Sequence, residues 1–276
     1  MKIAITGGKG GTGKSTIATA LAHTLAKNKK VLLIDCDVDC PGDHLLLSLK
    51  LETAMDVESK IPKFDFGRCI KCGNCARTCP EHAIAFVSGK YPVFIQERCI
   101  GCMACKLRCP TGAISETKQK IGEIRVARRG NLTLVSGEMK PGIEESSLVV
   151  NATKKFAKEM EKEYDYVIVD TAAGTHCPVI AALLGSELAI AVTEPTPLGE
   201  HDLGLILELT TKLKIKPYVV LNRADIGKRE MIERLAEKHN TRIIAEIPYS
   251  EEIQKFYSEG RPIEHEEIQK IIRVLE

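Results

Sequence analysis

A chain of 276 residues is long enough to bury one large core or two smaller ones. Its 39 Lys and Arg against 37 Asp and Glu leave a formal net charge of +2, and aromatic residues make up 4% with no Trp. That balance excludes the basic footprint and stacking platforms of a nucleic-acid binder. No apolar run reaches the roughly 18 residues of a membrane span and no signal peptide opens the chain, so the expectation is a cytoplasmic protein without membrane anchoring.

The apolar run Ile3-Ala4-Ile5 reads as a strand and leads into Gly8, Lys9, Gly10, Gly11, Thr12, Gly13, Lys14, Ser15 and Thr16, which fit G-x-x-x-x-G-K-[ST]. Glycines let the backbone curl so that its N–H groups face phosphate oxygens, Lys14 neutralises β/γ charge, and the Ser15 hydroxyl can ligate Mg²⁺. A helix predicted from Ser15 to about Lys27 adds its positive end. Val31 to Asp35 is an apolar run ending in acid, as a strand buried on both faces would be. Asp35, Asp37 and Asp39 follow at period two, with Asp39 also able to cap a short helix after Pro41-Gly42. Cys36 and Cys40 are expected to be buried as small hydrophobes.

Near Lys60 the composition changes. Cys69, Cys72, Cys75 and Cys79-Pro80 form C-x₂-C-x₂-C-x₃-C-P, and Cys99, Cys102, Cys105 and Cys109-Pro110 repeat it thirty residues later. Three cysteines of such a loop wrap one cubane while the fourth reaches the other cluster. Cysteines 69, 72, 75 and 109 are therefore assigned to one [4Fe-4S] cluster and 99, 102, 105 and 79 to a second. Zinc suits C-x₂-C pairs too, but would use only two of every four evenly spaced thiolates. So small a module cannot bury enough core alone, and it should unfold without its iron.

Glu123–Ala127 and Leu132–Ser136 read as a hairpin, and residues 143–163 as an amphipathic surface helix. Tyr166 to Asp170 is a second apolar strand ending in acid, placing Asp170 at the Mg²⁺ shell. Gly174 completes D-x-x-x-G and can sense a γ-phosphate through its N–H. Beyond lie His176 and Cys177, read either as ligands of a metal centre or as a buried thiol packing the switch. Leu188–Val192 is a short strand, and Thr193–Pro197 an irregular loop. Tyr218–Leu221 runs into Asn222-Arg223-Ala224-Asp225, where the Asn222 amide can pair with a base edge and Arg223 stack on it. A last strand, Ile243–Ile247, brings Pro248 beside the base. Helices over Ser250–Glu259 and Glu264–Leu275 close the chain, the second too acidic for an anionic surface.

Lys9 makes the loop K-G-G-x-G-K-[ST], which resembles the deviant Walker A motif of the MinD/ParA, nitrogenase iron protein and Mrp family of dimeric ATPases. The cysteine repeat resembles bacterial two-cluster ferredoxins. Together they resemble MinD-superfamily ATPases with an inserted ferredoxin domain, over nearly the whole chain. The resemblance implies an α/β fold, a mostly parallel twisted sheet with helices on both faces, carrying an inserted α+β ferredoxin domain. The divisions are residues 1–59 and 119–276 for the ATPase and 60–118 for the insert. It also implies ATP/ADP and Mg²⁺ between two protomers, with Lys9 reaching the partner's nucleotide and Asp37 orienting water. The partners are then a second copy and a redox partner or iron-sulfur client. The expected function is a nucleotide switch coupled to electron transfer, with a cluster carrier or a positioning ATPase as alternatives.

Overall fold

The computed structural model describes residues 1–276. In chain order it contains β1 (Lys2–Thr6), α1 (Lys14–Leu25), β2 (Val31–Cys36), α2 (Asp43–Leu46) and β3 (Glu52–Phe64). Next come α3 (Asn74–Arg77), β4 (Ile84–Ala85), β5 (Val93–Phe94), α4 (Ala104–Leu107), β6 (Ile114–Arg129) and β7 (Leu132–Met139). Then follow α5 (Ser147–Lys158), β8 (Tyr166–Thr171), α6 (Cys177–Leu183), β9 (Leu188–Thr193), α7 (Pro197–Leu213) and β10 (Lys216–Asn222). The last elements are α8 (Arg229–Lys238), β11 (Ile243–Ile247), α9 (Glu251–Ser258) and α10 (Glu266–Leu275).

Nine strands form one sheet in the order β11-β10-β9-β1-β8-β2-β7-β6-β3. Neighbours from β11 to β7 run parallel, while β6 is antiparallel to both β7 and β3. The short central strands are apolar up to their carboxyl ends because both faces are covered, and the period of two assigns their side chains to opposite cores. Ile3, Ile5, Val31, Leu33 and Ile168 join α1 and α10 in one cluster. Ala4, Leu32, Ile34, Val167 and Val169 meet α5 and α6 in another. Ile268, Ile271, Ile272 and Leu275 of α10 are buried in the first, so the apolar stripe of that terminal helix is spent on the core.

Several expectations change in detail. The hairpin at 123–136 is longer than its alternation suggested, since β6 reaches back to Ile114 and pairs along its length with β3, a strand not anticipated. In that register Lys60 opposes Lys118, so the two strands run without a break from the sheet into the cysteine-rich segment. The helix expected over 143–163 is α5 followed by a separate 3₁₀ turn at Glu161–Glu163. Asp39 is exposed and caps nothing; α2 begins after Gly42 with no side-chain cap. Cys36 is buried but Cys40 is exposed, because it lies in the turn beyond the strand.

Between β3 and β6 the chain forms a small unit of two short helices and the β4–β5 ribbon. Its core is slight: Cys75, Ile84, Cys105 and Ile114 are its buried members, with Phe64, Phe94, Cys79 and Cys109 packed around them. Thiols supply much of what this unit buries.

Candidate functional site

In a parallel sheet with helices on both faces, ligand-bearing loops gather beyond the carboxyl ends of the strands. The loop after β1, the acids ending β2 and β8, and the turns after β10 and β11 all meet there. They enclose a cleft of about 620 Å³ lined by Gly10, Gly11, Gly13, Lys14, Ser15, Thr16, Asp37, Asn222, Arg223 and Pro248, with Tyr249 and Tyr257 at its rim. Gly13 takes the left-handed conformation (φ 96°) at the start of α1, and a Cβ there would lie 2.4 Å from Asn222 Nδ2. Glycine is required on both counts.

Lys14 is nearly buried, and its Nζ donates to the carbonyl of Lys9 at 3.2 Å. Burial lowers its pKa, while the Asp170 and Asp37 charges pull the other way. The Gly174 N–H donates to the Gly7 carbonyl at 3.1 Å, tying the switch turn to the phosphate loop. Asn222 donates its amide to the Thr12 carbonyl at 2.8 Å, so it braces the loop while facing the cleft. Thr12 is itself buried against the Lys9 carbonyl. Gly8 packs on Asp202 of α7.

Asp35 and Asp170 are register partners on β2 and β8, which puts two fully buried carboxylates side by side at adjacent strand ends. Asp43 joins them, and oxygens of all three lie within 4.8 Å of one another with none of the residues exposed. Asp35 accepts from the backbone N–H groups of Asp37 and Asp43 and from the Ser136 hydroxyl. Both oxygens of Asp43 and of Asp170 lack a partner. Burial and the neighbouring Asp170 charge hold Asp35 and Asp43 well above the usual carboxylate range. Burial pushes Asp170 up to about 7, against the pull of Ser15 and Lys14. Orphaned, buried carboxylate oxygens beside a phosphate loop are the donor set a hard divalent cation takes.

Two further residues escaped the sequence reading. Asp43 lies in a short helix no periodicity marks. Glu194, 4% exposed, pairs with Lys9 at 3.5 Å and also with Arg223. It thus ties the extra lysine to the arginine expected at the base. An acid ending the apolar run at 188–193 was the available signal. Of the segment 193–197, residues 194–196 are irregular as expected, while Thr193 ends β9 and Pro197 opens the seventeen-residue α7, capped by Thr196, which accepts from the Gly199 N–H. Asp225 accepts from the Tyr249 N–H at 2.7 Å and fixes the turn that carries Pro248. Cys177, whose buried alternative fails, is exposed at the first turn of α6 beside exposed His176.

The eight repeated cysteines are unpaired and line two separate hollows. Cys69, Cys72, Cys75 and Cys109 face one, with Phe64, Ile70 and Lys71. Cys79, Cys99, Cys102 and Cys105 face the other, with Pro62, Ile100 and Met103. The repeat shows in the fourth cysteines: Cys79 accepts from the Ala83 N–H and Cys109 from the Ala113 N–H, both at 3.3 Å. Burial pushes the Cys105 thiol up to about 11 and raises Cys75 and Cys99. For Cys109, burial is outweighed by hydrogen bonds from Thr111 and nearby N–H groups, which lower it. Four convergent thiols fit a soft metal centre, which holds them as thiolates.

The model of the CobQ/CobB/MinD/ParA nucleotide binding domain matches residues 3–263. An uncharacterised protein of Methanocaldococcus jannaschii is 36% identical over 261 residues, 94% of this chain and 90% of that one. An iron-sulfur cluster carrier protein of Pyrococcus horikoshii is 24% identical over 279 residues, covering 95% of this chain and 78% of its own. Among solved structures, the septum site-determining protein MinD of Pyrococcus horikoshii, complexed with Mg-ADP, superposes with a TM-score of 0.58 at 19% identity, covering 95% of this chain and 86% of that one.

Proposed function

The chain is an ATPase that belongs to the CobQ/CobB/MinD/ParA nucleotide-binding family, and we propose that it is a homodimeric switch in which MgATP is coupled to electron transfer through two [4Fe-4S] clusters toward a partner protein. The observation that carries this reading is the pair of four-thiol hollows held on β3 and β6, strands continuous with the ATPase sheet. A redox module mounted on that sheet moves with it.

In this reading the phosphate loop and Lys14 hold the β- and γ-phosphates, and Ser15 with Asp170 holds Mg²⁺, the ion bound with ADP in the MinD relative. Asp37 orients the attacking water. Lys9 leaves Glu194 to reach the nucleotide of the second protomer, and Arg223, freed from the same carboxylate, stacks on adenine while Asn222 keeps the loop in shape. Cysteines 69, 72, 75 and 109 hold one cluster and 79, 99, 102 and 105 the other, across an insert of residues 60–118. Such clusters supply one-electron storage at potentials the surrounding protein tunes.

The second reading is an iron-sulfur carrier. It is favoured by the likeness to the Pyrococcus horikoshii carrier protein and by the exposed Cys177 next to the switch turn. The test is the reduction potential of the anaerobic, iron-loaded protein without nucleotide and with MgATP held by an Asp37→Asn substitution. A shift of about 59 mV corresponds to a tenfold difference in nucleotide affinity between redox states and supports coupling. An unmoved potential, with labile iron lost on Cys177→Ser, favours the carrier. An unmoved potential without that loss leaves a positioning ATPase with structural clusters.

A further inference from the structure

The two halves of the cysteine repeat are not equivalent in the folded chain. Cys69-Ile70-Lys71-Cys72 corresponds to Cys99-Ile100-Gly101-Cys102, and both Lys71 (φ 58°) and Gly101 (φ 72°) are left-handed. Gly101 is pressed onto β3: a Cβ there would lie 2.5 Å from Ser59 Oγ and 2.8 Å from the Lys60 carbonyl. Only glycine allows that approach, so the second loop is seated on the strand leading to the ATPase sheet. Lys71 meets no such wall. It is exposed, and Ile70 beside it is 63% exposed. The second loop is therefore seated on β3, whereas Ile70 and Lys71 of the first stand in solvent; among the eight thiols, Cys102 of the seated loop is the exposed one.

The exposed turn at Ile70 and Lys71 continues into an exposed aromatic strip. Lys71 Nζ lies 4.4 Å from the centroid of the Tyr91 ring, which is 4.8 Å from the Phe66 ring, itself 6.1 Å from Phe64 on the wall of the hollow of Cys69, Cys72, Cys75 and Cys109. Tyr91 and Phe66 are both nearly half exposed. The segment that carries them is lopsided in charge. Residues 60–118 hold ten Lys and Arg against four Asp and Glu, although the whole chain is nearly balanced. Two thiolate-bound clusters, each carrying a net charge of about −2, reduce that excess without reversing it. Lys63, Lys71, Lys90, Arg98 and Arg108 make no ion pair within the chain.

We infer that the face built by Ile70, Lys71, Tyr91 and Phe66, with Lys90 beside it, is the docking surface for a small acidic one-electron carrier protein. An apolar, aromatic centre flanked by the unpaired cations Lys71 and Lys90 is the complement of a carrier whose own centre is bordered by carboxylates. This rests on the electron-transfer reading above and names its partner. The step is the passage of a single electron, with no bond made or broken and no proton moved. The carrier is oxidised by one electron as the site of Cys69, Cys72, Cys75 and Cys109 is reduced by one, and the reverse holds for the return.

The test uses the full chain, iron-loaded and anaerobic, titrated calorimetrically with an acidic plant-type [2Fe-2S] ferredoxin at low and at high salt. Binding at low salt that weakens as salt rises is expected. Lys71→Glu with Lys90→Glu should weaken it at least tenfold. Lys212→Glu with Lys238→Glu, the same charge change on α7 and α8, should alter it less than twofold. Iron content and dithionite bleaching of each variant report that the module is intact. No binding at low salt, tighter binding of basic cytochrome c, or equal losses from the two double variants would overturn the assignment. Failure of the wild type to bleach reversibly with dithionite would instead refute the electron-transfer reading, whatever the binding result.

Discussion

Asp170 should make Mg²⁺ binding proton-linked. Its carboxylate is fully buried beside Asp35 and Asp43, has no hydrogen-bond partner, and is pushed up to about 7. Against an ordinary carboxyl near 3.9 that is roughly three units, and at about 1.4 kcal/mol per unit the folded protein favours the protonated form by on the order of 4 kcal/mol. A cation that requires the ionised group must displace that proton. Mg²⁺ affinity of the ADP-saturated protein should therefore fall about tenfold for each pH unit below 7, and level off above it. The stability of the metal-free protein runs the other way. A carboxyl whose folded pKa lies above its unfolded one contributes stability that is complete in acid and lost as pH rises through about 7. Asp170→Asn should flatten both dependences and make the metal-free protein more stable at pH 8. Calorimetric Mg²⁺ titrations at pH 6, 7 and 8, in two buffers of different ionisation heat, count the protons released. The phosphates of ADP titrate in this range too, but equally in both proteins. Identical pH slopes for wild type and Asp170→Asn would refute the reasoning.

Three other outcomes are expected. Glu194→Gln removes a buried anion whose cationic partners, Lys9 and Arg223, are 37% and 43% exposed. Both can retreat to water, so the thermal unfolding loss should be only about 1 kcal/mol, while fluorescent-ATP titration should show severalfold tighter binding. Gly101→Ala places a Cβ against Ser59 and Lys60, whereas Gly89→Ala, also left-handed at φ 73°, meets nothing within 4 Å. The first should cost about 1–3 kcal/mol and accelerate iron loss to a chelator, the second about 1 kcal/mol with iron retained. Removing iron should open residues 65–113 to protease while leaving ATP binding, since two of the four buried members of the small unit's core are thiols.

Much of the architecture could be seen in the chain itself. Continuous apolar runs ending in acid could only be strands covered on both faces, and their alternation between two cores follows from the period of two. The glycine loop announced its own conformation because Gly11 and Gly13 sit where φ is positive. Weakly patterned elements were harder to see. β3 is mostly polar along the stretch it shares with β6 outside the core, so no alternation marked it, and the helix of α7 was hidden behind Pro195 and Pro197, the second of which in fact opens it.

What the sequence by itself determined was chemistry carried by local spacing: a phosphate loop, cysteines set at cluster intervals, and acids at strand ends. Local geometry suffices there because a few adjacent residues make each feature. Only the tertiary structure decided which distant groups share a space. It brought Asp43 to Asp35 and Asp170, set Glu194 between Lys9 and Arg223, and seated one half of a near-symmetric repeat on β3 through Gly101. Those relations depend on strand order and on a single close approach at Gly101, and no spacing along one chain encodes either.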